Sequence, residues 1–116
     1  MTQIVNPSTL AVIAEPEPTP VEHIDGIVRR ARSAQREWAG LPMRRRMDSL
    51  RRVAELVRAN AEDLAQIETA NVGKPIGDSR GEVGMTADTF DYYAGAIDKT
   101  FGDTIPVDGG LDFTVR

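Results

Sequence analysis

Between Pro20 and Phe101 apolar residues recur at steps of three and four, and the run is cut wherever glycine and proline fall together. Steps of that size place side chains on one face of a 3.6-residue helix, so the spacing predicts four amphipathic helices. The first is expected from Pro20 to Trp38, with Val21, Ile24, Val28, Ala31, Gln35 and Trp38 on its stripe. Thr19, Pro20 and Glu22 supply a T-x-x-E start with proline in the first helical position. Gly40-Leu41-Pro42 ends it. The second stripe is Met43, Met47, Leu50, Ala54 and Val57, with Val53 beside it, and Arg44, Arg45, Arg51, Arg52 and Arg58 fall on the opposite face. Asn60 is expected to cap a third helix, with Glu62 and Asp63 in its first turn and Ala61, Leu64 and Ile67 facing inward. Gly73 suits the left-handed residue past its end, and Pro75 blocks continuation. The fourth helix is expected from about Asp78 to Phe101, with Val83, Ala87, Phe90, Ala94, Ile97 and Phe101 on its stripe.

The two ends read as extended. Ile4-Val5 and Leu10 to Ala14 flank Asn6-Pro7-Ser8-Thr9, a strand–turn–strand pattern. Glu15-Pro16-Glu17-Pro18-Thr19-Pro20 stops any strand, because proline cannot donate to a ladder. Beyond the helices, Thr104 to Val107 and Leu111 to Arg116 flank a turn at Asp108-Gly109-Gly110, the last piece being expected to lack a partner strand. The divisions are therefore 1–19, hairpin and Pro-rich linker; 20–101, four helices; and 102–116, extended tail.

Composition narrows the function classes. At 116 residues, 41% apolar and 28% charged, the chain is one globular domain at most. No window reaches the ~18 uninterrupted apolar residues of a membrane span. The start, Met1 to Pro7, has neither the basic nor the apolar region of a secretory signal, so a cytoplasmic protein is expected. Without cysteine there is neither a disulfide framework nor a thiolate metal site. The net charge of −4 divides unevenly: ten arginines against Glu37, Asp48 and Glu55 give +7 between Arg29 and Arg58, and the rest carries −11. Such a block could bind nucleic acid. The helical placement instead makes it the solvated back of amphipathic helices, poor in the Asn, Gln, Ser and Thr that read base edges.

Candidate chemistry is sparse. His23 has no second histidine or cysteine with which to hold a metal and falls in a helix's first turn. No serine has an orienting base nearby in sequence. Asp88, Asp91 and Asp98 read as a solvated face of the fourth helix. Gly73-Lys74 resembles a phosphate loop only faintly, since Pro75 stands where Ser or Thr is required and Glu68 where Gly is. Gly73, Gly77 and Gly81 repeat every four residues, a spacing that suits close packing of helix surfaces, while Lys74, Asp78, Arg80 and Glu82 exclude a membrane setting for them. No catalytic or cofactor-binding residue is assigned.

One set of motifs carries more. Asn6-Pro7 with Val12-Ile13-Ala14, a helix ending near Trp38, an Arg-rich helix and Asp63-Leu64-Ala65 come first. Glu68-Thr69 with Gly73-Lys74-Pro75, then Tyr92-Tyr93-Ala94-Gly95 and Ile105-Pro106, follow in order. This succession resembles the amino-terminal region of the aldehyde dehydrogenase family over about Ile4 to Arg116. The resemblance implies an α/β fold, the start of a Rossmann-like cofactor-binding domain, in which this mostly helical piece with its short hairpin and extended tail is a partial domain. It implies oxidation of an aldehyde to a carboxylic acid with NAD or NADP, through thiolate attack, hydride transfer and thioester hydrolysis. The cysteine, the glutamate base and the cofactor-binding residues of that chemistry have no counterparts here. The chain alone is expected to be inactive, its partner being the rest of such a polypeptide or a complementing chain, usually in a homo-oligomer. Some family members hold a monovalent cation at positions matching Ile4, Val5 and Asn71, where asparagine replaces an acid; a plain helix-end asparagine is the expectation. An inactive truncated gene product, a freestanding helical interaction module and a nucleic-acid binder stay open.

Overall fold

Proline has no side-chain acceptor with which to cap the first N–H groups of a helix, and three of the four described helices begin at one. The computed structural model describes residues 3–99 and 101–114. Its elements are β1 (Ile4–Val5), β2 (Val12–Ala14), α1 (Val21–Gly40), α2 (Met43–Ala59), α3 (Ala61–Val72), α4 (Ile76–Ala96), β3 (Thr104–Val107) and β4 (Gly110–Phe113). Pro20, Pro42 and Pro75 stand at the N-caps of α1, α2 and α4, each extended and with no side-chain cap bond. The T-x-x-E start at Thr19 is thus not used. Proline sits at the cap itself, and its carbonyl accepts the His23 N–H at 3.0 Å.

The fourth helix departs furthest from its expected span. It starts at Ile76 and ends at Ala96, five residues short of Phe101, which is 71% exposed. The Gly95-Ala96 pair precedes a turn in which the Lys99 N–H reaches the Ala96 carbonyl at 2.9 Å. Asn60 does occupy the N-cap of α3, yet its side chain caps nothing there. Its amide instead donates to the Leu56 carbonyl at 2.8 Å, closing the end of α2.

The core is narrow. α2 and α3 both pack on α4, and the fully closed apolar residues are Ala54, Ala65, Ala87 and Ala94, with Ser79 among them. Small side chains let helix axes approach closely. Leu64 and Ile67, expected inside, are 39% and 63% exposed, because α3 turns its Ala65 side to α4. Helix α1 buries no residue and makes no extended packing contact with another element.

Both sheets are two-stranded and antiparallel. Asn6 builds the first turn, its Oδ1 accepting the N–H groups of Ser8 at 2.9 Å and Thr9 at 3.2 Å. The tail strand does have a partner. β4 pairs with β3 in the register Thr104↔Phe113 to Val107↔Gly110, around Gly109 at φ +83°. The whole is elongated, 71 × 39 × 27 Å, with a radius of gyration of 20.9 Å. A compact chain of this length would have about 13 Å.

Candidate functional site

The Asn-Pro turn and the Gly-Lys-Pro junction, distant in sequence, meet in space. Gly73 ends α3 in the left-handed region at φ +75°, its N–H bonded to the Thr69 carbonyl at 2.9 Å. A β-carbon there would lie 2.7 Å from Pro7 Cγ. The pyrrolidine ring therefore rests on the one face of the junction that only glycine leaves open. Lys74 follows at once and spans two helices. Its ammonium binds Glu68 of α3 at 3.1 Å and Glu82 of α4. These carboxylates, Glu82 first, hold the Lys74 amine above its ordinary pKa.

Beside this junction a groove of about 480 Å³ runs between the first hairpin and α3, lined by Ile4, Ile13, Ala14, Gln66, Ile67, Ala70 and Asn71. Two of the three positions matching a family cation site, Ile4 and Asn71, therefore line the same groove, whereas Val5 is not among the lining residues. The groove carries no carboxylate, and among the described residues no three His, Cys, Asp or Glu side chains cluster as a metal-binding group. A second groove of about 430 Å³ opens against Val57, Leu64, Ile67, Ser79 and Val83, with Glu68 and Glu82 also in its wall. Both are apolar surfaces without a reactive pair.

Several charged side chains hold helices together. Arg58, expected on the solvated back of α2, bridges to α4. It binds Asp88 at 2.8 Å and Asp91 at 2.7 Å, clamping α2 to α4 and giving the solvated carboxylates of the expected α4 face a partner. Arg80 grips Glu62 side-on through Nε at 2.9 Å and Nη2 at 2.8 Å. With Gln66 also donating, this pulls the Glu62 carboxyl down to about 2. Ser79 is fully buried and shares a 2.9 Å hydroxyl–hydroxyl bond with Thr69, which has no basicity to activate it. His23 lies elsewhere, in a shallow notch with Thr19, Glu22 and Arg29. Sequence reasoning missed the Ser79–Thr69 pair, because a serine one turn into a helix reads as surface until its neighbour is known. The glycines at 77, 81 and 84 also differ from expectation, since beyond the local helix backbone no described atom lies within 4 Å of a β-carbon built on any of them. They leave α4 open there instead of packing it closely.

Nicotinamide cofactors bind Rossmann-like folds at the carboxyl ends of parallel strands. Among the described residues the strands are all in antiparallel hairpins, and no glycine-rich turn joins a strand to a helix.

A family model, aldehyde dehydrogenase family, matches residues 1–116, and the chain belongs to that family. It is similar to a Burkholderia cenocepacia protein assigned as an aldehyde dehydrogenase, at 37% identity and a TM-score of 0.87, covering 97% of this chain and 23% of that one. PnpE, solved with nicotinamide adenine dinucleotide, is 35% identical with a TM-score of 0.87 and the same coverage. The glyceraldehyde-3-phosphate dehydrogenase GapN of Methanocaldococcus jannaschii, solved with NADP, is 27% identical with a TM-score of 0.88, covering 97% of this chain and 25% of its own. The chain thus spans about a quarter of the length of these relatives and corresponds to the amino-terminal region of an aldehyde dehydrogenase. No described helix is long and apolar enough to cross a membrane.

Proposed function

We propose that this chain acts as the amino-terminal part of an NAD(P)-dependent aldehyde dehydrogenase, supplying a supporting layer and no reacting group. The observation that carries the reading is the match of 97% of the chain to 23% of a relative at a TM-score of 0.87, with the apolar faces of α1, α3 and both hairpins uncovered. Uncovered faces of this extent call for further polypeptide. The partner is the rest of such a polypeptide, joined or supplied as a second chain, in a homo-oligomer of cytoplasmic location. The divisions 1–19, 20–101 and 102–116 are proposed as parts of one incomplete domain.

The test is a graft. The matching quarter of the Burkholderia cenocepacia relative is replaced by these 116 residues, and aldehyde-dependent reduction of NAD and NADP is followed. A folded, active chimera is expected, while the relative lacking that quarter stays inactive. A chimera that fails to fold, or folds without turnover, would overturn the reading.

A further inference from the structure

Arg46 differs from every other arginine whose position the structure describes. Arg51, Arg52, Arg58 and Arg80 each hold a carboxylate, and Arg44 and Arg45 are exposed to water. Arg46 is only half-exposed, its Nε is closed off from solvent, and that donor has no acceptor. A donor enclosed without an acceptor gives up its hydrogen bond to water and gains none in return, and the loss is greater when the group is charged. The side chain lines a notch of about 280 Å³ where the end of α1, the start of α2 and the end of α4 converge, with Trp38, Leu50, Tyr93, Ala96 and Ile97 as the other walls. None of these walls is acidic. The closest acid in sequence to α4's end, Asp98, is taken by Lys99 at 2.6 Å. The notch therefore offers a fixed positive charge between two aromatic walls, with no countercharge.

Resting on the reading that further polypeptide covers this chain, we propose that the notch receives an aspartate or glutamate side chain from that polypeptide, gripped by Arg46. Arg80 shows the geometry within the same molecule, where Nε and Nη2 take the two oxygens of Glu62 in parallel. A guanidinium prefers that fork, and a carboxylate is the planar acceptor that satisfies it. Rotation about the long arginine stem, between staggered wells, brings the enclosed Nε to the incoming oxygen.

The test compares two contexts. In the 116-residue chain alone, Arg46→Met keeps the unbranched stem and removes the unmet donor, so helix content on heating is unchanged or better retained. In the graft described above, the same change lowers Tm by several degrees, because it strands the partner carboxylate. There Arg46→Lys keeps much of the native Tm, and Arg46→Gln, a donor without charge, does not. A loss of the same sign in both contexts would show that the stem merely packs, and the proposal fails. Full retention by Arg46→Gln would make the occupant a neutral acceptor, which also overturns it. An effect in the isolated chain that appears only as it self-associates would assign the notch to a second copy instead. A graft that does not fold at all sinks the preceding reading, and this one with it.

Discussion

At position 73 two requirements coincide, a φ of +75° and a proline ring 2.7 Å from where a β-carbon would sit. The first alone costs a non-glycine residue about 1 kcal/mol or more. The second forces the Asn6–Pro7 turn to move. Gly73→Ala is therefore expected to destabilise the fold. Gly81→Ala, on an open stretch of α4, should be neutral or stabilising by up to ~1 kcal/mol. Paired melts check this, and adding Pro7→Ala to the first variant should recover part of its loss, since residues in contact are not additive. The carboxyl of Glu62 gives a second expectation at this scale. Its folded pKa, about 2, lies below the ordinary 4.5, so its contribution is present above pH 4.5 and is lost as pH falls toward 2. Both partners are more than half exposed, so the effect is modest and salt-sensitive. Melts of the native chain and Glu62→Gln across that range should converge at the acid end, and a difference that stays constant with pH would contradict the assignment.

Among elements, the buried seam that joins α2 and α3 to α4 is a line of alanines and one serine. Ala87 is fully closed, so Ala87→Leu forces the axes apart and is expected to cost about 1–3 kcal/mol by chemical denaturation. Ser79→Ala strands the Thr69 hydroxyl and should cost about 1 kcal/mol. A melt unchanged by either would mean that this seam is not close-packed. Helix existence was legible from the 3.6-residue period, and the Gly73 stop from glycine followed by Pro75, because both are local facts. Ala54, Ala87 and Ala94 also fell on their expected stripes. The inward faces of α3 and the end of α4 were not legible. Leu64 and Ile67 are apolar at the right spacing, yet which neighbour a stripe meets is decided by the whole fold, and here α4 takes the Ala65 side. Phe101 continued the α4 period beyond a Gly95-Ala96 pair at which the helix stops. Of the candidate site, the meeting of the Asn-Pro and Gly-Lys-Pro motifs could be read only through family resemblance, since no local signal links Pro7 to Gly73.

Across the molecule, exposure is the dominant property. The accessible surface is 9237 Å², whereas a compact chain of this mass would show about 6,200 Å². Exposed apolar side chains include those of α1, where Val21 is 80% exposed and Ile24, Ile27 and Val28 more than 40%, and of the β3–β4 hairpin, where Leu111 and Phe113 stand 58% and 66% open. Apolar area of that extent is unfavourable in water at roughly 25 cal/mol per Å². The isolated chain should then keep its helices, whose bonds are local, without a fixed tertiary arrangement of α1 and the β3–β4 hairpin against α2–α4. Strong far-ultraviolet helical dichroism, binding of a hydrophobic dye and concentration-dependent self-association are the expected observations. The same preparation should reduce neither NAD nor NADP with any of a panel of aldehydes, because it contains no cysteine to attack the carbonyl and, among the described residues, no parallel sheet to seat the cofactor. Turnover above the buffer blank would refute the second half of this expectation. A sharp cooperative melt from a monomer that binds no dye would refute the first, and would mean that α1 folds back to complete a core in solution.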